Sequence, residues 1–292
     1  MFDGFAERWV STRGARIHAL VGGAGPPVLL LHGYPQNHVA WHAVASRLQD
    51  RFSLVVPDLR GYGDSTGPAP DAIHANYSKR AMAEDMVELM GALGLERFFL
   101  AGHDRGGRVA YRLALDHPDR VSRLAVVDLL PTLDVWEQID GQNATDSYHW
   151  LLLAQPAPLP EHLIGCDPEF FLQHLLDRWA GRRDALHPAA VAEYLRHFRK
   201  PSVIVAACED YRAGATVDLE LDRQDRSAGR RIGCPTLVLW GKRYLRARGS
   251  SPLAVWRRWA DDVREVVLDC GHFVAEEEPE ACAAAVMEFF GT

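Results

Sequence analysis

The segment from Phe98 to Gly107 constrains the fold of this 292-residue chain more than any other stretch. A short apolar run leads into Gly-x-Asp-x-Gly, with Asp104 at its centre, and a helical pattern follows. A strand that turns sharply into a helix has no room for side chains two positions before and after the exposed residue, and glycines occupy both positions. The segment therefore predicts a tight turn that presents the Asp104 carboxylate as a nucleophile. An ordinary strand-to-helix loop with an aspartate cap is the alternative interpretation.

Strand and helix signals alternate on both sides of this turn. Apolar runs and periodicity predict strands at Arg16–Val21, Pro27–Leu31, Ser53–Pro57, Phe98–Ala101 and Leu124–Val127, with helices at Lys79–Leu93 and Gly106–Leu115. This alternation is typical of an α/β protein in which a mostly parallel sheet carries helices on both faces.

The alternation stops after Pro131, and residues 132–230 show almost no strand signal. Helical patterns occur there instead, at Glu169–Trp179, Ala189–Phe198 and Pro201–Cys208. Strand signals return at Pro235–Trp240 and Val263–Leu268, and a last helix is predicted from Pro279 to Phe290. We therefore expect a core formed by residues 1–131 and 231–292, with residues 132–230 as an inserted helical cap over the carboxyl edge of the sheet.

Composition excludes several classes of function. The net charge of −7 and a pI near 6.0 argue against a nucleic-acid partner. The five cysteines are scattered and form no CxxC pair, so neither a disulfide framework nor a zinc site is expected. The first ten residues lack the apolar stretch of a signal peptide, and no apolar run approaches the roughly 20 residues of a membrane helix. These features predict a soluble, cytoplasmic protein without membrane attachment.

Two further motifs provide partners for Asp104. The loop Leu31–Pro35 follows a buried strand, and the backbone N–H groups of Tyr34 and Arg105 are expected to form an oxyanion hole. His272 lies just after the last predicted strand, which makes it the expected base among the 13 histidines of the chain.

The acid that orients His272 requires a separate argument. The loop after Gly241, where many members of this kind of fold place it, contains no Asp or Glu before Asp261. Asp128 follows the strand one earlier at the same edge, and the order Asp104, Asp128, His272 is that of a nucleophile, an acid and a base. Asp128 is therefore the predicted acid, with a helix cap as the alternative role.

These motifs together resemble the fluoroacetate (haloacetate) dehalogenases of the α/β-hydrolase fold, nearly from end to end. The resemblance implies hydrolytic dehalogenation of small anionic 2-haloacids, such as fluoroacetate to glycolate and halide, through an ester on Asp104. It also implies that no metal or organic cofactor is needed, and it suggests a homodimer. The segments that carry the resemblance are His32–Gln36, Asp58–Ser65, Gly102–Arg108, His149–Trp150, Cys208–Gly214 and Cys270–His272.

The resemblance also gives roles to residues that no pattern singles out. Arg105 and Arg108 lie one helical turn apart beside Asp104 and would bind the substrate carboxylate through paired N–H donors. In the alternative interpretation Arg108 is a solvated helix residue and Arg105 pairs with aspartates. Three cap residues would form the halide pocket, with Trp179 completing its wall; these three are His149, Trp150 and Tyr211.

Other functions remain open from the sequence. An epoxide hydrolase would use the same Asp104 and His272, with Tyr148 or Tyr211 and His149 as the ring-opening acid. A non-catalytic binding protein would not need a nucleophile, an acid and a base at matching places, and aspartate in the turn argues against a serine esterase. The chain departs from the family in the basic stretch Lys242–Ser251 and in Tyr34, where phenylalanine is more usual.

Overall fold

One mixed sheet organises the protein, whose computed structural model describes residues 1–245 and 250–291. Its strand order is β1-β2-β4-β3-β5-β6-β7-β8. β2 runs antiparallel to both β1 and β4, and the neighbours from β4 to β8 are parallel. The strands are β1 (Ala6–Ser11), β2 (Arg16–Gly23), β3 (Pro27–Leu31), β4 (Ser53–Pro57), β5 (Phe98–His103), β6 (Val121–Val127), β7 (Thr236–Gly241) and β8 (Val263–Leu268).

Helices alternate with the strands in the first and last parts of the chain, and a run of helices separates β6 from β7. The first part contains α1 (His42–Leu48), α2 (Lys79–Ala92) and α3 (Asp104–Asp116). The run comprises α4 (Thr132–Gln138), α5 (Tyr148–Leu153), α6 (Leu159–Cys166), α7 (Pro168–Trp179), α8 (Pro188–Phe198), α9 (Pro201–Ala215) and α10 (Val217–Ser227). The last part contains α11 (Pro252–Trp256), α12 (Val274–Glu277) and α13 (Pro279–Gly291). The predicted α/β class, with a mostly parallel sheet and helices on both faces, is confirmed.

The inner strands β3 to β7 are buried on both faces of the sheet, which explains why they appear as largely continuous apolar runs in the sequence. In β3, Leu29 and Leu31 belong to one apolar cluster while Val28 and Leu30 belong to the other. The first cluster includes side chains of α2 and α3, and the second includes side chains of α1 and α13. Successive side chains of a strand point to opposite faces, so these two clusters are the two layers of the core.

Buried ion pairs join the helices between β6 and β7 to the rest of the protein. Asp210 of α9 accepts hydrogen bonds from Nε and Nη2 of Arg105, at 3.1 and 2.5 Å, and also pairs with Lys79. Arg112 of α3 pairs with Asp222 and Asp225 of α10 at 2.9 and 2.5 Å. Removing one partner of such a buried pair costs about 3–5 kcal/mol because it leaves an uncompensated charge. We call residues 132–230 the cap and the other described residues the core, which is the division predicted from the sequence.

The helices also bear on membrane attachment. In the part of the chain that the structure describes, none of them has the length and apolar character needed to span a bilayer.

Candidate active site

Asp104 lies at the sharp turn between β5 and α3 and adopts a left-handed backbone conformation, with φ of 46°. A Cβ on Gly102 would lie 2.5 Å from the Gly106 carbonyl oxygen, and one on Gly106 would clash with the His32 carbonyl oxygen. The backbone N–H of Tyr34 donates a hydrogen bond of 3.0 Å to Oδ1 of Asp104. The turn thus holds the carboxylate in a fixed position with one oxygen on a backbone donor.

His272 and Asp128 lie beside this carboxylate. Nδ1 of His272 is 2.6 Å from Oδ2 of Asp128, whose other oxygen accepts from the Gly241 N–H at 2.9 Å. Nε2 of His272 lies 3.9 Å from Oδ2 of Asp104. The structure therefore brings together the three residues that the sequence predicts as nucleophile, acid and base.

Glu277 organises the loop that carries His272, and sequence reasoning missed it. Its Oε2 accepts a hydrogen bond of 2.9 Å from the Gly271 N–H, and its Oε1 accepts one of 3.1 Å from the Phe273 N–H. Oε2 also accepts from the Gly181 N–H of the cap at 2.8 Å. Nothing in the run of three glutamates at positions 276–278 marks this one, because its role depends on contacts that form only in the fold.

The electrostatics suit an ionised Asp104 beside a neutral base. Burial raises the pKa of Asp104, but the neighbouring His272, Arg108, His103 and Arg105 outweigh it and hold the pKa below its ordinary value. Burial lowers the pKa of His272 to about 4, against the opposing effect of the Asp104 charge. At neutral pH, Asp104 is therefore ready to attack and His272 is ready to accept a proton.

A cavity of about 690 Å³ opens above these residues, between the core and the cap. Side chains from both parts line it, so a ligand within it would contact both. From the core these include Asp104, Arg108, Asp128, Leu130, Tyr244 and His272, and from the cap Val135, Ile139, His149, Trp150, Arg178 and Trp179.

The two predicted carboxylate-binding arginines differ in their surroundings. Arg108 lines the cavity; its Nη1 donates to the Leu130 carbonyl and its Cζ lies 4.6 Å from the ring centroid of Trp150. Arg105 is fully buried, with Nε and Nη2 bound to Asp210, and its Nη1 has no partner among the described residues. Arg108 is thus the more accessible cation, and Arg105 has one donor left to offer.

The three predicted halide-binding side chains form an aromatic cluster. The ring centroid of Tyr211 lies 6.0 Å from that of His149 and 5.6 Å from that of Trp150. Burial lowers the pKa of His149 to about 3, so the ring is neutral at physiological pH and keeps one N–H donor. Nδ1 of His149 and Nε1 of Trp179 are buried without a hydrogen-bond partner among the described residues. The cap therefore brings unpaired polar atoms close to Asp104.

Tyr244 is a second residue that the sequence did not single out. Its ring centroid lies 4.4 Å from that of His272, and it lines the cavity. It belongs to the basic stretch Lys242–Ser251, of which residues 246–249 lie outside the described part of the chain.

Two groups away from the cavity bring together side chains of the kind that bind cations. In both, the candidate ligand atoms already make hydrogen bonds or ion pairs with neighbouring side chains. The groups are His18, His38 and Asp58, and Asp64, Glu193 and His197.

Comparisons with known proteins agree with this geometry. The family model for the alpha/beta hydrolase fold matches residues 26–279. Fluoroacetate dehalogenase from Burkholderia sp is 45% identical, over 99% of this chain and 95% of that protein. Soluble epoxide hydrolase from Corynebacterium sp. is 31% identical, over 95% of this chain and 94% of that protein. A solved structure from Nostoc sp PCC 7120, described as an alpha/beta hydrolase, matches with a TM-score of 0.97 and 51% identity over 99% of both chains.

The resemblance predicted from the motifs is confirmed by the family model and by near full-length identity to the curated relative. The chain belongs to the alpha/beta hydrolase fold family and, within it, to the fluoroacetate (haloacetate) dehalogenases, which are hydrolases.

Proposed function

We propose that the protein hydrolyses the carbon–halogen bond of short 2-haloacids, converting a substrate such as fluoroacetate to glycolate and halide. The observation that carries this proposal is that the guanidinium of Arg108 and the carboxylate of Asp104 line the same cavity. A substrate carboxylate bound to Arg108 places the adjacent carbon near the nucleophile. Arg105 adds one further donor through Nη1, which is buried and unpaired among the described residues.

In the first step, Asp104 attacks the carbon that bears the halogen. Its Oδ1 is held by the Tyr34 N–H at 3.0 Å, so Oδ2 is the oxygen that forms the new carbon–oxygen bond. The carbon–halogen bond breaks, and the halide departs toward His149, Trp150 and Tyr211, with Trp179 in the pocket wall. An imidazole N–H, an indole N–H and a phenol O–H stabilise the developing anion.

In the second step, His272 removes a proton from water at Nε2 while Asp128 holds Nδ1. The hydroxide adds to Cγ of the Asp104 ester, and the charge on Oδ1 is bound by the backbone N–H groups of Tyr34 and Arg105. The Cγ–Oδ2 bond then breaks and the hydroxy acid leaves with a proton from His272. Asp104, which now carries the water oxygen as a carboxylic acid, releases its proton to solvent and regains a carboxylate. None of these steps requires a metal or an organic cofactor.

Isotope labelling tests the ester intermediate directly. In a single turnover in H₂¹⁸O with enzyme in excess over chloroacetate, the label should enter the Asp104 carboxylate and not the glycolate. Asp104→Ala should release no halide above the uncatalysed rate. Label in the product of the first turnover would mean direct attack by water, and the proposal would be wrong.

Epoxide hydrolysis is the second candidate, and one observation favours it. Oη of Tyr148 is buried without a hydrogen-bond partner among the described residues, and Tyr148 adjoins His149, so a ring-opening donor is present. A halide-release assay on fluoroacetate and chloroacetate, run beside diol formation from neutral epoxides, separates the two functions. Turnover of epoxides without any halide release would place this candidate first.

The assembly of the protein is also a proposal. We infer a homodimer, which the resemblance suggests and which exposed apolar side chains on the cap support: Leu159, Leu163 and Phe170. Light scattering of the purified protein measures the assembly, and a molar mass near 32.5 kDa would mean that the protein is a monomer.

A further inference from the structure

The ring of Tyr244 packs against the imidazole of His272 at the cavity wall. The two centroids are 4.4 Å apart and the planes are inclined by 40°, while Trp179 lies 6.0 Å from the tyrosine ring. The turn that carries Tyr244 is tied to the loop of His272 by a 3.0 Å hydrogen bond from the Arg243 N–H to the Cys270 carbonyl. This turn, residues 242–245, follows β7 and contains no carboxylate. It contacts His272 through the aromatic ring of Tyr244.

A hydrogen bond at one ring nitrogen fixes one atom of an imidazole and leaves rotation about that bond open. Asp128 holds Nδ1 of His272 at 2.6 Å, but Nε2 must also point toward Asp104. The rings of Tyr244 and His103, with centroids 4.4 and 4.6 Å from that of His272, restrict the plane of the imidazole. An aromatic face also attracts a cation that lies within about 6 Å of its centroid.

We propose that Tyr244 is a positioning residue for His272 in the second half of the reaction. There it holds the plane of the imidazole and stabilises the imidazolium that forms when a water proton passes to Nε2 and hydroxide adds to Cγ of Asp104. This assignment rests on the ester mechanism proposed above.

His272 has a different role in ester formation and in ester hydrolysis. While the ester forms, no proton moves to His272, so the contact with Tyr244 has little effect on the rate. Once Asp104 is esterified, its charge no longer stabilises an imidazolium beside it. Asp128, Glu277 and the ring of Tyr244 remain, so the loss of the tyrosine ring acts on ester hydrolysis.

Rapid-quench kinetics with chloroacetate test this division. Tyr244→Leu should release about one equivalent of chloride at the wild-type rate and then turn over about 3- to 30-fold more slowly. Intact mass should show the Asp104 adduct accumulating during the slow phase. Tyr244→Phe keeps the ring and should behave as the wild type. Lys242→Ala is the matched control on the same turn, because its exposed side chain contacts Asp269 at 3.4 Å.

Three outcomes would overturn the assignment. The first is that Tyr244→Leu slows the burst rate and the steady-state rate equally. The second is that its steady-state rate is unchanged. The third is that Tyr244→Phe loses as much steady-state activity as Tyr244→Leu. Thermal melting confirms folding, and Tyr244→Met replaces the leucine variant if that variant does not fold. The variant His272→Asn separates this proposal from the ester mechanism. If His272→Asn accumulates the Asp104 adduct but Tyr244→Leu shows no burst, only the role of Tyr244 is contradicted. If His272→Asn accumulates no adduct, the ester mechanism is contradicted as well.

Discussion

The core wall and the cap wall of the cavity are built on different principles. On the core wall, Asp104, Asp128 and His272 are charged or titratable, and each accepts or donates a hydrogen bond to another element. The cap wall includes three aromatic side chains, His149, Trp150 and Trp179, beside polar and aliphatic ones. Two of their ring nitrogens, Nδ1 of His149 and Nε1 of Trp179, have no partner among the described residues.

This difference fits a reaction in which bonds form at one wall and an anion leaves toward the other. Groups that attack or transfer protons gain from a fixed geometry, because small displacements spoil the alignment of the reacting atoms. Donors for a leaving anion must stay unpaired until it arrives, although an unsatisfied buried polar group costs about 1–3 kcal/mol. The core wall thus holds its reactive groups in a fixed geometry, and the cap wall keeps polar atoms unpaired, which lowers the stability of the protein.

The largest expected effect comes from breaking the hydrogen bonding of the core wall. Asp128→Asn should reduce kcat by roughly 10⁴-fold, since the amide favours the wrong tautomer of His272 and cannot stabilise its cation. Steady-state halide release measures the loss. Asp269→Asn is the control in the loop of His272, because Asp269 is exposed and bonds Arg243, and it should stay near wild type. Near-normal activity in Asp128→Asn would assign the acid to another residue.

Variants of Arg108, which lines the cavity, and of Arg105, which is fully buried, should separate substrate binding from stability. Arg108→Leu should reduce kcat/KM for chloroacetate by roughly 10- to 100-fold, from the loss of one charge-assisted contact, with little change in Tm. Arg105→Leu should also lower Tm, because Asp210 loses the guanidinium that binds it through two nitrogens.

Neutral chloroacetamide provides the check on this pair. It should be a poor substrate for the wild type and should gain relative to chloroacetate in Arg108→Leu. If Arg108→Leu turns over chloroacetate almost normally, Arg108 does not bind the substrate carboxylate, and epoxide hydrolysis becomes the favoured function.

A smaller effect is expected when a hydrogen-bond donor of the cap wall is removed, and its size should depend on which halide leaves. Trp150→Phe removes the indole N–H but keeps an aromatic ring beside Arg108. It should reduce the rate with fluoroacetate about tenfold more than the rate with bromoacetate, because fluoride gains more from a hydrogen bond. Trp136→Phe is the matched control in the cap, since its Nε1 donates to the Gly214 carbonyl at 2.9 Å. Equal losses with both halides would mean that Trp150 acts by packing alone.

The smallest expected effect concerns pH. Burial depresses the pKa of His272 to about 4, so the neutral base persists to lower pH than for an exposed histidine. Where ester hydrolysis limits turnover, kcat should be flat from pH 6 to 8 and fall toward acid with a midpoint at or below about 4, because esterification removes the Asp104 charge that opposes the depression. The Arg108 cation contributes to the depression, so Arg108→Leu should shift this midpoint upward. A wild-type midpoint above pH 6 would contradict the buried, neutral base.

The inner strands of the sheet were predictable from the sequence because their burial on both faces leaves apolar runs bounded by glycine and proline. The bounds predicted for Val263–Leu268 match β8, and the strand before Asp104 extends two residues beyond the prediction. Several elements were not predicted, among them β1 and α10. β1 is a partly exposed edge strand, and the buried side chains of α10 are aspartates that pair with Lys79 and Arg112 rather than apolar residues.

The site was predictable where a backbone turn demands particular residues, as at Asp104 with its flanking glycines. Positions on the cap came from family resemblance, since an aromatic side chain in a helix looks the same whether it fills a core or lines a pocket. Glu277 and Tyr244 were missed because their contacts with the His272 loop join segments whose relation appears only in the folded chain.

The buried carboxylates of α9 and α10 have a consequence for how this protein could be recombined with its relatives. Three of their cationic partners, Lys79, Arg105 and Arg112, lie in α2 and α3 of the core. A chimera with the cap of another protein that lacks those carboxylates would leave these buried cations without partners. Cap and core therefore have to be exchanged together, and a substitution at one of these positions requires a compensating substitution at its partner.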